Sequence, residues 1–110
     1  EFDIETRPLS TLHSPLSTDI LVNATPLGMR GPNENDTPLT SDHLSGVKFV
    51  YDLVTRRDET PLLREARKAG VDAIGGIEML IAQGLKQFEI WIGRDAPAPL
   101  MRQAVVDRLA

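Results

Sequence analysis

Apolar residues in this chain gather first in two short uninterrupted runs and then in longer stretches at helical spacing, with Gly- and Pro-rich loops between them. Ile20, Leu21 and Val22 form the first run. Having no polar alternation, it suits a strand buried on both faces, as in a parallel sheet covered by helices. It passes straight into Asn23-Ala24-Thr25-Pro26-Leu27-Gly28-Met29, where Asn, Thr, Pro and Gly crowd into a turn. Ligands of such sheets bind beyond the carboxyl ends of the strands, so Asn23, Ala24 and Thr25 stand where an α/β protein places one. Turn chemistry alone also accounts for Pro26 and Gly28.

Val47 to Val54 is the second run, rich in β-branched and aromatic residues, and reads as a strand ending at the same crevice. Asp52 near its end is read as fixing loop N–H groups, with a base or a ribose partner as the alternative. Thr60-Pro61 then opens a helix, Thr as N-cap and Pro at a position whose N–H has no partner. Leu62, Leu63, Ala66 and Ala69 make its buried stripe and Gly70 stops it. Val71 to Ile74 follows as a short third strand, which completes a βαβ unit.

Gly75-Gly76 leads into a longer helix, Ile77 to Trp91, with a stripe of Ile77, Leu80, Ile81, Leu85, Phe88 and Trp91 and a stop at Gly93. Gln83 lies off that stripe, on a face with Met79 and Gly76. It reads either as a solvent-facing amide or as one that donates and accepts toward a crevice ligand. Leu100 to Leu109 makes a last amphipathic helix through Met101, Ala104, Val105 and Leu109.

Elsewhere the pattern is weaker. Phe2 and Ile4 alternate with charges like a strand end, and Pro8 to Leu16 reads as a short helix or turn around Leu9, Leu12 and Leu16. Arg30 to Thr40 reads as a loop, after which Thr40 or Ser41 caps one helical turn through Leu44, broken by Gly46. His13 and His43 receive no role.

Composition narrows the class. The 110 residues are enough for one domain, and 41% hydrophobic with 25% charged residues is ordinary for a globular protein. No apolar run is long enough to cross a bilayer and no signal peptide opens the chain, so a cytoplasmic protein is the expectation. The absence of cysteine excludes disulfides and thiolate metal sites. A net charge of -4 without a basic stripe argues against nucleic-acid binding. No Ser-His-Asp set, catalytic carboxylate pair, metal-ligand cluster or Gly-rich phosphate loop can be assembled, so no catalytic or metal-binding residue is assigned.

Several separate blocks carry a resemblance. Asn23 to Met29, Val50 to Val54 with Thr60 to Leu63, Gly76 to Gln83, and Phe88 with Trp91 and Gly93 together resemble, in order and spacing, the carboxyl-terminal portion of the shikimate dehydrogenase family. The resemblance implies an α/β fold, a partial Rossmann-like three-layer domain with a parallel sheet plus carboxyl-terminal helices. Residues 1–110 would be the second half of the NADP-binding domain with those helices. It further implies NADP(H)-dependent interconversion of 3-dehydroshikimate and shikimate, on the route to chorismate and the aromatic amino acids.

By position, the resemblance gives Asn23, Ala24, Thr25, Met29, Leu53 and Gly76 to the cofactor, and Gln83 and Thr55 to the substrate. Thr55 stands where the family usually has Tyr, Arg56-Arg57 where it more usually has Asn-Pro, and Glu78 at a position often Gly. The family's amino-terminal substrate domain, with the Lys and Asp that move the proton, and the loop that seats the pyrophosphate have no counterpart in these residues. The expectation is a segment inactive alone. The alternatives are a quinate/shikimate dehydrogenase paralogue and a non-catalytic module that associates through its exposed sheet edge, as a homodimer or with the missing half.

Overall fold

The computed structural model describes residues 3–109. Thr18–Asn23 (β1), Val47–Asp52 (β2) and Asp72–Ile74 (β3) form a parallel sheet in the order β1-β2-β3. Ser41–Leu44 (α1) and Pro61–Lys68 (α2) supply the crossovers, and Gly76–Ile92 (α3) and Ala98–Arg108 (α4) follow the last strand. The α/β class, the parallel sheet and the carboxyl-terminal helices are as the sequence implied.

The helix boundaries follow local chemistry. Thr60 Oγ1 accepts from the Leu63 N–H at 3.2 Å, with Pro61 as the first helical residue of α2. At the other end of α3, Gly93 adopts φ 71° and its N–H bonds the Glu89 carbonyl, the left-handed cap that favours glycine. Thr40 caps α1, and His43, given no role from sequence, accepts the Thr40 N–H on Nδ1 at 3.2 Å.

Leu39, Leu44, Val47, Val50, Leu62 and Ala66 form the core, where α1 and α2 close over one face of the sheet. Leu12 and Leu16 pack against it from the amino-terminal segment, whose only regular structure among the described residues is a 3-10 turn at Leu9–Thr11. Leu16 enters beside Gly46, where a Cβ would stand 2.0 Å from the Leu16 carbonyl oxygen, so only glycine fits.

Burial of β1 on both faces is not met. Ile20 and Val22 are 60% and 50% exposed and pair with Phe49 and Tyr51 on the face opposite the core. Among the described residues α1 and α2 cover only one side, and a run of apolar residues carries no information about whether a second layer is at hand. The stripe read on α3 also needs correction at its end. Ile81 is buried, but Trp91 is 73% exposed, and Ile90 and Ile92 beside it are exposed too, so the last turn of α3 has no cover among the described residues. Ile4 is exposed and forms no strand, and Phe2 lies outside the described residues.

Candidate functional site

Parallel pairing sets Asn23 directly beside Asp52 at the carboxyl ends of β1 and β2, and both side chains are buried. A polar pair so placed must satisfy itself, since an unpartnered buried polar group costs about 1–3 kcal/mol. Asp52 Oδ1 accepts from Asn23 Nδ2 at 3.0 Å and from the Val54 N–H at 3.1 Å, and its Oδ2 accepts from the Thr60 hydroxyl at 2.5 Å. Asp52 is thus the fixer of loop groups that the sequence suggested, and it faces no cavity.

The amide of Asn23 carries this order into the turn. With its NH2 committed to Asp52, its Oδ1 accepts the Thr25 N–H at 3.0 Å and the Thr25 hydroxyl at 2.7 Å. Thr25 Oγ1 in turn accepts from the Leu27 N–H at 3.2 Å. The Thr25 side chain is therefore engaged as donor and acceptor inside the turn. No buried side-chain polar atom among the described residues lacks a partner.

Next to this network lies a cavity of about 420 Å³ lined by Ala24, Thr25, Pro26, Met29, Leu53, Val54 and Thr55. Its volume lies within the roughly 300–1,000 Å³ usual for small-molecule sites. None of its lining side chains is a carboxylate, imidazole, amine or thiol. The far wall, Met29, is held through its backbone. The Met29 N–H bonds the Pro26 carbonyl, the Gly28 N–H bonds the Asn33 carbonyl, and Gly28 takes a φ of 94° that side-chain-bearing residues rarely adopt.

The residues singled out from sequence divide into three groups. Ala24, Thr25, Met29, Leu53 and Thr55 share the cavity, and Asn23, buried next to it, orders the turn through Thr25 without lining it. Gly76 lies behind it: a Cβ there would stand 2.4 Å from the Leu53 and 2.6 Å from the Val54 carbonyl oxygen, so its bareness lets α3 start against the outgoing backbone of β2. Gln83 is exposed and lines a different groove with Lys86, Gln87, Ile90 and Trp91. The structure therefore brings Thr55, but not Gln83, to the cavity.

Sequence reasoning missed Arg56. Its side chain is 7% exposed, and the guanidinium donates from Nη1 to the Gly28 and Glu34 carbonyls, both at 2.9 Å, and from Nε to Asp58 at 2.9 Å. Arg30 reaches the same Asp58 carboxylate at 3.0 Å. The Arg56 guanidinium holds the Asp58 carboxyl well below the usual carboxylate range, and Asp58 raises Arg56 in return. The one local signal was an Arg two residues before an Asp in a loop.

A family model for the shikimate 5'-dehydrogenase carboxyl-terminal domain matches residues 76–106. The shikimate dehydrogenase (NADP(+)) of Archaeoglobus fulgidus is 48% identical over 91 residues, which are 83% of this chain and 34% of that protein. A shikimate dehydrogenase solved in complex with NADP+ superposes with a TM-score of 0.74 at 35% identity, covering 84% of this chain and 32% of that one. Shikimate 5-dehydrogenase from Thermus thermophilus, solved with NADP(H) and shikimate, gives a TM-score of 0.69 at 30% identity over 83% of this chain and 34% of that one. The chain thus spans about a third of the length of the relatives it matches.

Proposed function

We propose that this chain, which belongs with the carboxyl-terminal portion of the shikimate dehydrogenase family, is the second half of an NADP-binding domain with the helices that follow it. In this reading it serves the NADP-dependent interconversion of 3-dehydroshikimate and shikimate. The observation that carries the reading is the cavity at the carboxyl ends of β1 and β2, walled by Ala24, Thr25, Met29, Leu53 and Thr55, in a turn ordered by the buried Asn23–Asp52 pair.

The residues present suit a nicotinamide group. Met29, Leu53 and Val54 give apolar walls for a flat ring, and the internally satisfied turn from Asn23 to Leu27 offers a fixed backbone. When bound, the cofactor supplies the hydride chemistry. The chain's own residues orient the ring and keep water from its apolar face. Gly76 contributes by bracing Leu53 from behind. Thr55, at the cavity, is proposed to meet a substrate hydroxyl, and Gln83 is given that role on the resemblance alone.

Reduction of a carbonyl also needs a proton donor within hydrogen-bond reach. No cavity-lining side chain titrates near neutral pH. These 110 residues by themselves are therefore expected to show no shikimate-dependent reduction of NADP+.

The test is a chimera in which residues 1–110 replace the matching carboxyl-terminal segment of the Archaeoglobus fulgidus relative. Reduction of NADP+ with shikimate is expected, and a quinate-only activity would favour the quinate/shikimate paralogue. A folded chimera that turns over neither would overturn the reading. A second reading, a module that associates through its sheet, has its own support in the edge position of β1 and the exposure of Ile20 and Val22. Sedimentation of the chain as a monomer at micromolar concentration would dismiss it.

A further inference from the structure

We propose that Arg56 is the positioning residue that holds the Met29 wall of the cavity in place, an inference that rests on the cavity being the ligand site. Gly28 and Glu34 bracket the loop that follows the turn, and one nitrogen of Arg56, Nη1, donates to the carbonyls of both. The remaining contacts of the guanidinium run to Asp58, which leads into the loop that starts α2. Arg56 thereby ties the lip of the cavity to the β2–α2 connection across 28 residues of sequence.

Arginine is the side chain for this task. Four of its N–H groups are in use, two to carbonyls and two to the carboxylate, one more than a lysine ammonium has, and it stays charged throughout the accessible pH range. Asp58 keeps its charge well into acid, so the partner does not release the fork at moderately low pH. Met29 itself is 51% exposed and has little packing to locate it, so its place depends on a backbone held from outside. The Gly28 carbonyl is aimed at Arg56 by the positive φ of that residue, which ties the glycine and the arginine into one device.

Backbone amide exchange followed residue by residue in the 110-residue chain tests this without any ligand. The amides of Gly28, Met29, Glu34 and Asp36 all bond within the turn and loop, and those of Leu53, Arg64 and Val71 report the sheet and α2. Arg56→Ala is expected to speed exchange at the first four by about a hundredfold or more, the scale of losing two hydrogen bonds from a charged donor. The other three should be unchanged. Arg56→Lys and Asp58→Asn should give smaller local rises, since each keeps part of the fork's contacts. Unchanged exchange in the loop, or an equal rise at all seven amides, would overturn the proposal.

NADP+ titration of the same substitutions in the chimera with the Archaeoglobus fulgidus relative separates this inference from the reading of the cavity. Binding that weakens several-fold in Arg56→Ala and partly recovers in Arg56→Lys supports a positioning role, and binding indifferent to Arg56 refutes it. A folded wild-type chimera that binds no NADP+ would remove the cofactor reading, while the exchange pattern would still decide whether Arg56 holds the wall.

Discussion

Asp52 shows how much one buried side chain organises. Its two oxygens accept from Asn23, Val54 and Thr60, and so couple the end of β1, the exit of β2 and the N-cap of α2. Asp52→Asn keeps the shape but replaces one acceptor with a donor, so either the Thr60 hydroxyl or the Asn23 amide loses its acceptor. The expected loss is about 1–3 kcal/mol in urea unfolding, with Asp52→Ala costlier because three donors are then orphaned. Stability equal to wild type in Asp52→Asn would mean that the acceptor pattern is not needed. Sequence placed Asp52 correctly because strand ends and loop N–H groups are local, whereas its pairing with Asn23 depends on which strand lies alongside. Arg56 was illegible for the same reason, since its carbonyl partners lie 28 and 22 residues away.

At the scale of elements, α1 is one turn long and cannot hold itself together. It is fastened by α2, whose Glu65 accepts the Ser41 N–H at 2.8 Å and also receives Lys68 at 2.7 Å. The Lys68 contact first, and the Ser41 N–H second, lower the Glu65 carboxyl below its ordinary 4.5. Because the folded value lies below the unfolded one, the stability Glu65 contributes is present above the ordinary carboxylate range and is lost as pH falls through the lowered value. Glu65→Gln should therefore be less stable than wild type at pH 7, by under about 1 kcal/mol, and the gap should be smaller at pH 3. Chemical denaturation at both values measures it, and a gap independent of pH would assign the effect to packing. Helices α2 and α3 were legible because their signals, Thr60-Pro61 and Gly93, sit within one turn of the ends they set. The exposure of Trp91 was not, since spacing names a face without saying how far along it the cover extends.

The whole molecule is more open than its length requires. Its radius of gyration is 16.1 Å, against about 13 Å for a compact domain of this size. The sheet with α1 and α2 holds the core, while α3 and α4 pack mainly on each other and are pinned by the bidentate Arg102–Glu78 pair. Local stability follows buried contact, so the helical signal in circular dichroism should fall in two steps with urea, the α3–α4 pair first. A single transition shared by all probes would show one cooperative unit instead. The same openness explains what sequence misjudged in Ile20 and Val22, where hydrophobicity was legible and the missing cover was not.

The closed circuit of hydrogen bonds next to the cavity also bears on how this chain can drift. Asn23, Thr25 and Asp52 satisfy one another, so an occupant meets Ala24, Met29 and Leu53 as shape and the turn as main chain. Replacement is then most restricted at positions hidden from the ligand and freest at some that touch it. Selection acting on this site would leave its clearest imprint one layer below the surface where binding occurs.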